Sequence, residues 1–312
     1  MKRVLVSGSL AYDRIMDFPG LFKDHFMADK LHNINVSFLV KNANKYFGGT
    51  AGNIAYNLGL LEEKPVVLGT AGHDFAQLEE HLTKAGADCS LVQIQDEDMT
   101  AFVYMVTDEH NNQIAAFYPG ASEIALEKKP PVEEADLAIV APGCLEDMRN
   151  LPSLYKEAGL SYLYDPGQRI TALSGEELLA GIEGSAGIFC NDYELALILE
   201  KTGVTEANLV SRTGFLVVTL GDQGSRIVTN GGETRIKALA VEKVLDPTGA
   251  GDAYRAGFIK GLLHALPHET CAKLGSAVAA YAVECYGTQN HNFTHDELKS
   301  RFEGAYQESF PY

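Results

Sequence analysis

The stretch Asp246-Pro247-Thr248-Gly249-Ala250-Gly251-Asp252-Ala253-Tyr254-Arg255-Ala256-Gly257-Phe258 reads as a loop becoming a helix. Glycines at 249 and 251 let the backbone turn tightly with no Cβ in the way, so consecutive N–H groups can point into one concave spot. Apolar spacing over 253–263 predicts a helix behind the turn, which adds unpaired N–H groups and the positive end of a dipole. A phosphate oxygen fits there. Asp252 stands at the mouth of that spot, where a carboxylate stays ionised and can take a proton from an attacking hydroxyl. An anion hole beside a base points to phosphoryl transfer to an alcohol. From these residues alone a plainer account stays open, in which the glycines shape a turn and Asp252 caps a helix. Two rivals lose support: no Lys-Ser or Lys-Thr follows the glycines as in a Walker A loop, and Tyr254 stands where a dinucleotide fingerprint needs its third glycine.

Outward from this stretch, the chain alternates short apolar runs with helical patterns. Residues 3–9, 66–69, 91–94, 135–143, 162–165 and 186–190 are such runs, and helical spacing is found over 54–61, 75–82 and, Ala-rich, over 271–286. Residues 215–220 and 226–229 flank a turn and read as a hairpin. The alternation implies an α/β fold, a mostly parallel sheet with helices on both faces that binds ligands at its strand ends. The segment from 14 to 46 lacks a helical period, and 34–40 alternates as a half-exposed strand. Residues 100–107 and 113–118, joined by the polar turn 108–112, form a second hairpin pattern. A small β lid over 14–46 and 98–118 follows, in which Phe38, Phe117 and Tyr118 can either lie against a flat ligand or pack the underside of the lid itself.

Composition narrows the function. With 312 residues and 46% hydrophobic content the chain can bury a large core as a single domain, and a formal charge of −17 argues against nucleic-acid or anionic-membrane partners. The five cysteines, at 89, 144, 190, 271 and 285, form no C-x-x-C pair and are odd in number, which indicates neither a disulfide framework nor a zinc site. Without an apolar run of about 18 residues or a signal-like start, a cytoplasmic protein is expected.

Asp-Pro-Thr-Gly-Ala-Gly-Asp-Ala-x-x-Ala-Gly-Phe closely resembles the C-terminal signature of the ribokinase-like (PfkB) family of sugar and nucleoside kinases. Phe47-Gly48-Gly49-Thr50-Ala51-Gly52-Asn53 resembles that family's N-terminal signature, some 200 residues earlier and in the expected order. The resemblance implies a three-layer α/β/α core with a β lid, and ATP with Mg²⁺ as reactants. It makes Asp252 the general base and Gly249, Ala250 and Gly251 the anion hole, and it gives sugar hydroxyls to Asp13, Gly49 and Asn53. Asn191 and Glu194, which local rules read as a capping box, match the Asn-x-x-Glu motif that organises Mg²⁺ through water. Thr219 and Gly221 match the segment lining the nucleotide, Asn290 falls where the family closes over adenine, and Asp246 and Thr248 fall where many members bind a monovalent cation, K⁺. The basic residue that contacts phosphate from the lid in some members has no match here, and Arg169 is the candidate in its place.

Asn35-Val36-Ser37-Phe38, Ala51-Gly52-Asn53, Tyr164-Asp165-Pro166-Gly167-Gln168 and Gly287-Thr288-Gln289-Asn290-His291 are similar to the bacterial and archaeal nucleoside kinase branch, which includes adenosine kinases. The resemblance thus implies transfer of the ATP γ-phosphate to a ribonucleoside 5′-hydroxyl, adenosine first, by a monomer or homodimer. Alternatives are a ribose or fructose kinase of the same family and a catalytically silent nucleotide sensor. A sugar-phosphate kinase would want Lys or Arg in the lid, and 34–40 and 100–106 contain none.

Overall fold

The computed structural model of the chain describes residues 2–26, 35–110 and 112–312. Ile34 of the expected strand, Asn111 of the expected turn and lid residues 27–33 lie outside the described residues. In chain order the strands are β1 (Arg3–Ser7), β2 (Ala11–Asp17), β3 (Asn42–Gly48), β4 (Lys64–Leu68), β5 (Thr70–Gly72), β6 (Gln93–Gln95), β7 (Ala101–Thr107) and β8 (Gln113–Tyr118). They continue with β9 (Leu137–Val140), β10 (Tyr162–Tyr164), β11 (Gly187–Asn191), β12 (Phe215–Thr219), β13 (Ser225–Thr229) and β14 (Gly232–Ile236). The helices are α1 (Thr50–Leu60), α2 (Ala76–Lys84), α3 (Leu145–Ala158), α4 (Gly175–Ile182), α5 (Asp192–Thr202), α6 (Glu206–Arg212), α7 (Ala250–Leu263), α8 (His268–Val283) and α9 (His295–Tyr306).

The main sheet runs β14-β13-β12-β11-β10-β9-β1-β4, parallel from β12 to β4, with β13 and β14 added antiparallel. Successive strand residues feed opposite cores, which is why these strands are apolar throughout rather than alternating. Val4 and Val6 join α1, α2, α7 and α8 on one side, and Leu5 joins α3, α4 and α5 on the other. The expected strand at 91–94 is displaced to β6, which pairs with β5 outside the main sheet. Among the described residues no helix is long and apolar enough to cross a membrane.

The lid is a second sheet, β3-β2-β7-β8. Its strands begin at Ala11 and reach Gly48, beyond the expected 14–46. The strand expected over 34–40 is absent at 35–40, and pairing with β2 is taken instead by 42–48. Phe38 explains the difference. It leaves the alternating pattern to pack among Phe18, Phe22 and Phe26, with ring centroids 4.9, 5.1 and 6.1 Å away, while Leu39 next to it is 87% exposed.

The chain enters α1 after β1 and the lid, and α3 after β9, and these helices cover opposite faces of the sheet. The connections leaving neighbouring strands β1 and β9 therefore part to opposite faces and open a crevice beyond the strands' C-terminal ends, the usual ligand position in such sheets.

Candidate active site

That crevice holds about 630 Å³ and is lined by residues at or just past the ends of five parallel strands: Ser9, Pro142, Asp165, Asn191 and Thr219. The N-terminus of α7 and the lid close its other sides. A second cleft of about 630 Å³ lies against β14, α8 and α9. Its cations are largely neutralised, Lys273 by Glu269 and Glu308 at 2.8 and 2.7 Å and Arg301 by Glu284 at 2.6 Å. Most of the expected site residues, Gly49, Asn53, Asn191, Thr219, Gly249, Gly251 and Asp252 among them, gather at the first.

Gly249 is the N-cap of α7 and adopts φ +78°, a left-handed conformation that glycine takes without strain. A Cβ there would stand 2.8 Å from that of Thr288, so both conformation and space demand glycine. Asp252 follows in the first turn of α7. Burial pushes its carboxyl up to about 7, against the pull of Arg255 and a hydrogen bond from Asn53, while Asp165 and Glu194 push further. A base with that affinity for protons is matched to neutral pH.

Asn53, in the first turn of α1, donates from Nδ2 to Asp252 Oδ2 at 2.7 Å. Its Oδ1 accepts from Thr288 Oγ1 at 2.7 Å and Gln289 Nε2 at 2.9 Å, which fixes the orientation of the amide. The Asn53 amide thus holds the base, and one Nδ2 proton is left for the sugar hydroxyl expected of it. Gly49 caps α1 at φ +86°, where a Cβ would stand 2.5 Å from the Ser9 carbonyl oxygen.

Across the cleft, the lid register aligns Asp13 of β2 with Val103 of β7, and Val103 with Phe117 of β8. Asp13 and Phe117 therefore share a face, and both line the cleft. Burial, with the charge of Asp246 adding to it, pushes Asp13 up to about 6. Tyr118, the next residue, turns to the other face and donates to Asp98 Oδ1 at 2.9 Å.

Asn191 and Glu194 form the capping box of α5: Asn191 Oδ1 accepts from the Glu194 amide at 2.7 Å, and Glu194 Oε2 from the Asn191 amide at 2.8 Å. Burial raises the carboxyl of Glu194, with Asp165 adding to the rise. Thr219 and Gly221 line the same end of the cleft, and nothing stands within 4 Å of a Cβ built on Gly221.

Five expected residues fall elsewhere. Ala250 does not line the cleft, because its amide closes a turn by donating to the Pro247 carbonyl at 3.3 Å, which leaves the expected anion hole to the amides of Gly249 and Gly251. Phe38 lies in the aromatic cluster of the lid. Asn290 is exposed and donates to the Tyr286 carbonyl at 2.8 Å, because the loop after α8 turns it away from the cleft. Arg169 is drawn off by Glu123 at 2.9 Å. Asp246 binds the Thr248 amide at 2.9 Å and the Gly287 amide at 3.0 Å, a clasp between two loops, and only Thr248 lines the cleft. Among the described residues no cluster of three or more His, Cys, Asp or Glu side chains could hold a metal directly. Sequence reasoning missed Asp165 and Arg255 as a pair. Arg255 Nη2 donates to Asp165 Oδ1 at 2.9 Å, and its Nε lies against Asp165 Oδ2.

Residues 1–295 match the family described as pfkB family carbohydrate kinase. The chain belongs to that family. It is accordingly a phosphotransferase with a hydroxyl group as acceptor. This kinase is 31% identical over 306 residues to the nucleoside kinase of Methanocaldococcus jannaschii, covering 97% of each chain. The crystal structure of a Methanocaldococcus jannaschii nucleoside kinase matches it with a TM-score of 0.87 at 30% identity, over 97% of this chain and 99% of that one. A Burkholderia thailandensis nucleoside kinase in complex with inosine matches with a TM-score of 0.84 at 35% identity, over 98% and 99%.

Proposed function

We propose that this kinase transfers the γ-phosphoryl group of ATP to the 5′-hydroxyl of a ribonucleoside, a purine nucleoside first and adenosine among them. The observation that carries the reading is Asp252: a carboxyl with raised proton affinity, beside the cleft-lining Gly249 and Gly251 and oriented by Asn53. In the step, Asp252 takes the proton from the hydroxyl, the oxygen forms its bond to the γ-phosphorus, and the bond from that phosphorus to the oxygen kept by ADP breaks. The anion-hole amides meet the charge spreading over the transferring oxygens. Asp13 and Gly49 would hold the ribose and Phe117 the base, with Thr219 and Gly221 toward ATP. The nucleoside kinases that the chain resembles end to end support the acceptor class, and the Burkholderia enzyme's complex with inosine supports a purine.

Glu194 fits a hydrated Mg²⁺, since its Oε2 is fixed by the cap and its Oε1 has no protein partner among the described residues. Mg²⁺ bound there would neutralise phosphate charge. Asn191 orients that carboxylate, its own oxygen being spent on the cap. Both oxygens of the Asp246 carboxylate are taken by the loop clasp, and we assign no K⁺ to Asp246 and Thr248.

ADP release measured with adenosine, inosine, guanosine, cytidine, ribose and fructose tests the proposal. Purine ribonucleosides should exceed ribose and fructose in kcat/KM by on the order of 10² or more, the scale of several lost hydrogen bonds and a lost stacking contact. Preference for a free sugar overturns the acceptor, and turnover of none of them leaves the sensor.

A further inference from the structure

Among the described residues no lid cation lines the cleft to face the transferring phosphoryl, and the structure supplies one from inside α7. Arg255 stands three residues after Asp252, on the same helical face. It is only 7% exposed, yet it lines the cleft. Asp165, itself 2% exposed just past β10, takes one edge of the guanidinium through Nη2 and Nε. That leaves Nη1, which has no protein acceptor among the described residues. A Cβ built on Gly251 would stand 2.8 Å from Nη1, so this nitrogen lies beside the backbone of the anion hole.

We propose that Arg255 contacts the phosphoryl group in flight: Asp165 fixes the guanidinium edge-on, Gly251 makes room for Nη1, and Nη1 reaches the oxygens gathered at the amides of Gly249 and Gly251. The proposal rests on the reading of the protein as a kinase of hydroxyl acceptors. Arg255 makes and breaks no covalent bond. Its charge serves Asp165, Asp252 and Glu194 together before the reaction. When Asp252 takes the hydroxyl's proton it becomes neutral, and the share of the guanidinium's field that it held turns to the phosphoryl. The cation is already desolvated and held in place, so little reorganisation is needed at that moment. Arginine suits the position because one fork can bind Asp165 while its other arm points onward, which a lysine ammonium of the same reach cannot do.

The competing account is that Arg255 only ties α7 to β10. R255M, R255K and the double variant R255M/D165L separate the two, with wild-type turnover as reference. Replacing both charges by apolar groups avoids stranding Asp165, so the double variant should melt closer to wild type than R255M does. If Arg255 contacts the phosphoryl, kcat falls by on the order of 10² in R255M and stays there in the double variant, with KM for the nucleoside changed by about threefold or less. R255K keeps the charge and folds, and its kcat falls as well. The acidic limb of kcat/KM in R255M should also move to higher pH, because the cation opposing the rise of Asp252 is gone. The groups facing Asp252 are then Asp165 beyond β10, Glu194 on α5 and the neutral Asn53 on α1, with Asp13 lining the same cleft. Wild-type kcat in the double variant or in R255K, or an unmoved limb in R255M, overturns the proposal. A wild-type enzyme inactive on every acceptor overturns the kinase reading instead.

Discussion

Helix α7 carries two buried cations five residues apart, and they live in opposite electrostatic circumstances. Lys260, at the end of the helix away from the cleft, donates to Glu63 Oε1 at 2.6 Å and to the Leu61 carbonyl at 2.9 Å, with the Tyr312 ring centroid 4.6 Å from Nζ. Glu63 also accepts from the Lys2 amide at 2.6 Å and contacts His264 Nε2 at 3.1 Å. Burial alone would raise the carboxyl of Glu63, but the hydrogen bonds from Lys260, Lys2 and His264 together bring it below its ordinary value. At the cleft end, Arg255 is shared among Asp165, Asp252 and Glu194, and burial raises all three carboxyls. One pair is saturated and locks β4, α1 and the chain ends to the helix. The other is left short of positive charge, where a substrate and its metal would complete it. Incomplete compensation of this kind marks a functional site.

The contrast is broken most forcefully at its saturated end. K260M strands Glu63 with its remaining donors and should cost ~3–5 kcal/mol of stability, read as a large drop in melting temperature, while kcat of the folded enzyme is unchanged. A comparable fall in kcat would mean that the two ends of α7 are not separate. D252N should do the reverse, lowering kcat by on the order of 10² or more with little change in nucleoside KM. Its melting temperature should rise at pH 8 and change little near pH 4. The sign follows from the raised carboxyl: a group held at about 7 in the fold against 3.8 when free costs stability progressively as pH climbs through that window. Equal melting shifts at both pH values would show that the carboxyl carries no such burden. Asp13→Ala, the mildest, should raise the nucleoside KM by about tenfold through loss of a charged hydrogen-bond acceptor, with kcat less affected. An unchanged KM would remove Asp13 from the ribose site.

Much of this was legible where a motif fixes its own backbone. Gly249, Gly49 and the Asn191–Glu194 cap each require a particular local geometry, and the structure has it. The buried strands declared themselves because a sheet covered on both faces leaves long apolar runs. The failures occurred where tertiary contacts decide. Residues 35–40 alternate like a strand, yet Phe38 finds three other phenylalanines and the pairing passes to β3. The partner that gives Arg255 its purpose is 90 residues away, and no local pattern announces the ion pair. Asn53 is expected at the site, but its bond to Asp252 and the two donors that fix its amide come from residues far away in the sequence.

That last arrangement joins distant parts of the polypeptide. The amide steering the carboxyl of residue 252 comes from residue 53, and the groups that steer the amide come from residues 288 and 289. The acid and the means to aim it are therefore set in three separate stretches of the sequence. Cleavage between α7 and residue 288 would thus leave the acid and its steering amide on one piece and the groups that orient that amide on the other.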